Sequence, residues 1–133
     1  MKKKLNCIML VDDNPDDNFM HQYVINDMQV CERIEVALNG EEAIEYLRDK
    51  ADTPPELIFL DINMPRMNGW EFIDEYKHLD AEKKSKVVIM MLTTSVNPSD
   101  RERAERIQEI TGFETKPLIR ENLQKILDEH FAN

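Results

Sequence analysis

A chain of 133 residues, 41% apolar and 33% charged, falls in the single-domain size range; it can bury one core and is too apolar for intrinsic disorder. With 27 acidic against 17 basic residues it carries a net charge of −10, and such a surface repels phosphate backbones and anionic lipid. Nucleic acid and membrane are therefore not expected partners, and the few prolines and glycines exclude a linker-rich chain.

Met1-Lys2-Lys3-Lys4 resembles the basic start of a signal peptide. The apolar run Leu5–Val11 is short, however, and enters Asp12-Asp13 without a cleavage site, and nothing approaches the ~20 apolar residues of a membrane span. A cytoplasmic protein is expected, with Cys7 and Cys31 as reduced thiols. Leu5–Val11 reads instead as a buried parallel strand. Asn14-Pro15-Asp16-Asp17 reads as a helix start, with Asn as N-cap, Pro at the first position and acids suited to the helix dipole. Phe19, Met20, Tyr23, Val24 and Met28 continue that helix at helical spacing. Arg33–Leu38 follows as strand and Gly40–Asp49 as helix. A proline-containing link over 49–56 leads to the strand Leu57–Leu60, which ends at Asp61. Beyond Pro65 and Gly69 comes a helix carrying Trp70, Phe72, Ile73, Tyr76 and Leu79. Val87–Leu92 is the most apolar strand and ends at Thr93. A charged helix over Pro98–Ile110, a weak strand Gly112–Thr115 and a final helix Leu118–Phe131 complete the chain.

Alternating strands and helices imply an α/β fold, a parallel sheet with helices on both faces. Ligand sites in such open sheets lie beyond the carboxyl ends of the strands. The suspicious polar residues fall there: Asp12 and Asp13 after the first strand, Asp61 after the third, Thr93 at the fourth, and Lys116-Pro117 after the fifth. Three converging carboxylates repel one another unless a hard cation sits among their oxygens, and Mg²⁺ suits that donor set. Lys116 would bring a compact positive charge for a phosphoryl oxygen and Thr93 a hydroxyl. Together they outline a phosphoryl-transfer site with Asp61 as carboxylate nucleophile.

The strings MLVDDN (9–14), LDINMPRMNGW (60–70), MLTTS (91–95) and GFETKP (112–117) resemble the receiver domains of bacterial two-component response regulators, over residues 5–131. The resemblance implies a flavodoxin-like, doubly wound, five-stranded parallel sheet of order 2-1-3-4-5. It implies that Asp61 accepts a phosphoryl group from a sensor histidine kinase or a histidine phosphotransfer protein. The metal ligands would be Asp12, Asp13, Asp61 and the backbone carbonyl of Asn63. Thr93 and Phe113 would form the switch, Lys116 would pair with the phosphoryl group, and the bond before Pro117 would be cis. The face made by the fourth helix, fifth strand and fifth helix would contact a downstream protein target, with a phosphorylation-dependent dimer conceivable. A single receiver domain over 1–133 is expected, with no output domain.

Two rival readings place the same residues differently. A Mg²⁺-dependent phosphohydrolase with an aspartyl nucleophile would carry a second acid two residues beyond the first, where this chain has Asn63, and would want a cap domain. A receiver-like binding module that is never phosphorylated would lack one of the acids or the lysine, and all are present. His21, His78 and His130 fall on predicted helices away from the strand ends, where surface or core-edge roles are expected. Trp70 is expected to pack near Asp61, and Asp100–Arg106 to be a solvated helix face.

Overall fold

The computed structural model describes residues 4–50, 53–84 and 87–131. Strands β1 (Leu5–Val11), β2 (Cys31–Ala37), β3 (Leu57–Leu60), β4 (Val88–Thr93) and β5 (Gly112–Thr115) alternate with helices α1 (Pro15–Met28), α2 (Gly40–Glu45), α3 (Gly69–Tyr76), α4 (Pro98–Glu105) and α5 (Arg120–His130). A π-helical turn, Tyr46–Lys50, continues α2, and a single helical turn, Ala81–Lys84, precedes β4. All strand pairs are parallel, as the alternation of strands and helices implies, and the order is β2-β1-β3-β4-β5, as the family resemblance implies. Of the 49–56 link, residues 51 and 52 lie outside the described residues.

Strands β1, β3 and β4 are buried on both faces, and the two-residue period of a strand divides their side chains between two cores. Met9, Val11, Ile58, Leu60, Ile89 and Met91 join Ala43, Leu47, Phe72 and Ile73 on one side. Ile8, Leu10, Leu57, Phe59, Met90 and Leu92 join Ile25, Leu123, Ile126 and Leu127 on the other. Neighbouring strands place the same parity on the same face, so the parallel register and the two cores specify each other.

Helix starts follow the sequence closely. Asn14 caps α1, its side chain accepting from the N–H groups of Asp16 and Asp17. Asn68 and Glu71 form a reciprocal capping box on α3. Gly69 is needed where it stands: a Cβ there would lie 2.5 Å from the Asp61 carbonyl oxygen. That close approach seats the start of α3 against the end of β3.

The helices differ in detail from what the sequence spacing suggests, and β2 starts at Cys31 and ends at Ala37 rather than spanning Arg33–Leu38. Phe19, Met20 and Tyr23 do not enter the core; they are 72%, 47% and 67% exposed, whereas Asn18, His21 and Ile25 are the buried residues of α1. The inward face of this helix is partly polar because it serves the loops. Asn18 Nδ2 donates to the Asp12 carbonyl at 2.9 Å, and His21 Nε2 accepts the Leu118 N–H at 3.4 Å. The fourth helix stops at Glu105 rather than Ile110, because the N–H groups of Arg106 and Ile107 bond three residues back, to Arg103 and Ala104, and tighten into turns. Asp100–Arg106 is a largely solvated face, as expected, with Ala104 its one buried residue, and two of its arginines also cover aromatic rings. Arg101 stacks over Phe113 at 5.4 Å and Arg103 over Trp70 at 4.3 Å.

Candidate functional site

Four strand ends supply the site. The Asp12 N–H donates to the Ala37 carbonyl and the Asp61 N–H to the Val11 carbonyl, both at 3.0 Å, so the ladders continue to the last residue before each carboxylate. Asp12, Asp61 and Thr93 are buried, while Asp13 is exposed on the open side. One carboxylate oxygen from each of Asp12, Asp13 and Asp61 lies within 4.8 Å of the others. Three anionic oxygens that close fit a hard divalent cation, and the exposed edge at Asp13 leaves room for water or phosphate oxygens.

Lys116 enters from the end of β5. Its backbone N–H donates to the Thr93 carbonyl at 2.8 Å, and the peptide bond to Pro117 is cis, as the resemblance implies. Its Nζ lies 2.6 Å from Asp12 Oδ2, 2.8 Å from Asp17 Oδ2 and 3.5 Å from Asp61 Oδ2. Burial alone would lower the lysine's affinity for its proton. The hydrogen bonds to Asp12 and Asp17 and the charge of Asp61 outweigh that and hold the ammonium above its usual range.

Asp61 is poised differently. Burial pushes its carboxyl above the ordinary range, and the Asp12 charge adds to that; Lys116, the Ile62 N–H and the Thr93 hydroxyl pull it back. The Ile62 N–H donates to Oδ1 at 2.8 Å, which leaves Oδ2 facing the lysine. Asn63 follows on the exposed loop between β3 and α3. Thr93 Oγ1 accepts the Ser95 N–H at 3.2 Å, and the Ser95 hydroxyl donates to Asp100 at 2.6 Å, which ties the end of β4 to the start of α4. Phe113 sits buried on β5 under Arg101, in contact with the core of that sheet face.

Two residues near this centre escaped the sequence reading. Asp17, assigned there to the helix dipole, pairs with Lys116. His21, placed away from the strand ends, is buried beside the turn that follows Lys116. The lysine's charge, after burial, lowers the histidine's affinity for a proton. Both corrections have one cause: α1 runs back over the sheet so that its first two turns overhang the β5–α5 connection. Trp70 packs as expected, buried at the start of α3.

Comparison with known proteins gives a consistent picture. The family model described as "Response regulator receiver domain" matches residues 8–128. A probable methanogenesis regulatory protein, FilR2, from Methanothrix harundinacea is 27% identical over 92% of this chain and 79% of its own length. A probable cyclic di-GMP phosphodiesterase from Vibrio cholerae is 32% identical over 95% of this chain, which spans only 26% of that protein. The crystal structure of a two-component response regulator from Cytophaga hutchinsonii superposes with a TM-score of 0.87 at 31% identity, covering 96% of this chain and 97% of the other.

Proposed function

Because the chain belongs to the response regulator receiver family and serves phosphoacceptor signalling, we propose that Asp61 is its phosphoacceptor and that Asp12, Asp13 and Asp61, with the Asn63 carbonyl, hold Mg²⁺. The observation that carries the reading is the convergence on Asp61 of two further carboxylates, the Thr93 hydroxyl and the Lys116 ammonium. In the transfer, Asp61 Oδ2 forms a bond to the donor's phosphorus while the bond from phosphorus to the donor breaks. The electron pair leaves with the donor, an imidazole when the donor is a phosphohistidine. Bound Mg²⁺ would offset the carboxylates' mutual repulsion and take phosphoryl oxygens. The chain's own groups do the rest. Ile62 N–H fixes one carboxylate oxygen so that the other faces the incoming group, and Lys116 and Thr93 close on the new phosphoryl oxygens.

Receiver domains of this family take signals from histidine kinases and act on downstream targets. For this chain we assign a sensor histidine kinase or histidine phosphotransfer protein as donor and a protein as target, reached through the α4–β5–α5 face. A dimer through that face would depend on phosphorylation. Phe19, Met20 and Tyr23 give α1 an exposed apolar surface beside the site, suited to a protein rather than to nucleic acid. Among the described residues no helix is long and apolar enough to cross a membrane. We assign the protein to the cytoplasm, acting as one receiver domain over about residues 5–131. Its chemistry would be limited to gaining and losing its own phosphoryl group. Asn63, standing where a hydrolase would need a second acid, argues against turnover of external esters.

Intact-mass analysis after incubation with acetyl phosphate tests this. One phosphoryl adduct is expected with Mg²⁺, none with a chelator, and none on Asp61→Asn under either condition. No adduct on the wild type, together with no beryllofluoride complex, would leave an unphosphorylated binding module. Release of phosphate from added esters would favour a hydrolase.

A further inference from the structure

Asp17 stands outside the residues that the proposed chemistry uses, yet its Oδ2 lies 2.8 Å from Lys116 Nζ. Asp12 is closer at 2.6 Å and Asp61 farther at 3.5 Å. An ammonium has three N–H donors, so each acid can take one, and the phosphoacceptor has the longest contact. We propose that Asp17 is a holding partner for Lys116, keeping the ammonium toward α1 until a phosphoryl group on Asp61 draws it across. This rests on the phosphoacceptor reading and adds a positioning residue to it.

Local geometry makes the hold specific. Asn14 accepts the Asp16 and Asp17 N–H groups through its side chain, at 2.9 and 3.1 Å, and its own N–H donates to Asp12 Oδ1 at 3.0 Å. Asp12 and the first turn of α1 are therefore one hydrogen-bonded unit, and Asp17 is fixed at N3 beside it. Exposure decides which bond yields. The Asp17 side chain is 27% exposed, against 7% for Asp12 and 10% for Asp61. Freed from the lysine, Asp17 can be rehydrated, whereas Asp12 or Asp61 would be left as a buried charge. A phosphoryl group carries nearly two negative charges on three oxygens and outcompetes one carboxylate. The Asp17 bond is thus the one that breaks as Lys116 moves.

The test measures the rate of adduct formation on Asp61 from acetyl phosphate with Mg²⁺, in wild type, Asp17→Asn and Asp16→Asn. Asp16 sits on the same helical turn, is exposed and has no contact with Lys116 among the described ion pairs, so its variant removes the same formal charge without touching the hold. Asp17→Asn is expected to react about two- to fivefold faster than Asp16→Asn, the scale of a part-exposed ion pair. In a Lys116→Ala background the Asp17 substitution should give no such gain. Equal rates for the two single variants, or a slower Asp17→Asn, would overturn the hold. So would a gain that survives without the lysine. Acylation of Lys116 by an amine reagent, read by peptide mapping, should also rise in Asp17→Asn. That readout needs no phosphoryl transfer, so unchanged labelling overturns the hold even if Asp61 takes no phosphoryl group. A wild type that never forms the adduct, beside raised labelling, would instead count against the phosphoacceptor reading.

Discussion

Lys116 divides its ammonium among three carboxylates, two of them buried, and most of the charge balance of the site passes through that one group. Replacing it with methionine keeps the volume and removes the counter-charge. Lys116→Met is expected to lower unfolding stability by about 3 kcal/mol, the usual cost of breaking a buried pair and stranding its partner. Urea denaturation in chelator measures the loss, and millimolar Mg²⁺ should recover more of it than it adds to the wild type. A variant as stable as wild type in chelator would mean that Asp12 and Asp61 do not depend on the lysine. Most of this centre was legible in the sequence, because Asp12, Asp13, Asp61, Thr93 and Lys116 each terminate a strand and each stands in a motif. Asp17 was not. An acid in the first turn of a helix already has a local reason to be there, and its contact with Lys116 spans 99 residues of sequence. His21 was missed for a similar reason: its role depends on which face of α1 turns inward.

At the scale of elements, strands were easier to read than helices. Four- to seven-residue apolar runs ending in Asp have few alternatives, and β1 and β3 were placed to the residue. Helix α1 shows where periodicity misleads. Its large apolar residues Phe19 and Tyr23 are spaced i, i+4 as a core stripe would be, yet Asn18, His21 and Ile25 take the inward face. Helix α2 passes into a π-turn at Tyr46, a change of hydrogen bonding that no residue type announces. The junction of β3 with α3 allows a sharper statement. At Gly69 an added methyl would sit 2.5 Å from the Asp61 carbonyl and 3.0 Å from the Ile62 Cα, both backbone atoms with little freedom to move. Gly69→Ala should therefore cost about 1–3 kcal/mol by overpacking. It should also slow adduct formation on Asp61, since the backbone that aims the carboxylate must shift. Equilibrium unfolding and the acetyl phosphate reaction, run on the same preparation, check the two effects together. Loss of stability with an unchanged rate would separate the packing from the aim of the carboxylate.

For the whole molecule, the acidic centre and the buried histidine give stability a pH dependence whose sign can be worked out. His21 has its proton affinity lowered, first by burial and then by the charge of Lys116; the acids facing it, Asp17 and Asp12, oppose that only in part. Its Nε2 accepts the Leu118 N–H, so the bond between α1 and the α5 entry requires the neutral ring. The unfolded chain takes up the proton near the ordinary value of 6.5, before the native state does. Native stability should therefore fall as pH drops from 6.5 toward the lowered native value, and be unaffected by this group above 6.5. Asp61 works in the opposite sense. Its raised native value means that ionisation costs the folded state stability as pH climbs from the ordinary 3.8 through the raised value, and the cost persists at neutrality. Two signatures follow in metal-free buffer. Asp61→Asn should be more stable than wild type at pH 7, with the gap closing below pH 3.8. His21→Gln, whose amide oxygen can accept the same Leu118 N–H, should lose less stability than wild type between pH 6.5 and 5. Urea midpoints at pH 7.5, 6.5 and 5.5 decide the second. Parallel curves for wild type and His21→Gln would mean that the acid sensitivity lies among the surface carboxylates and not in the buried link between α1 and α5.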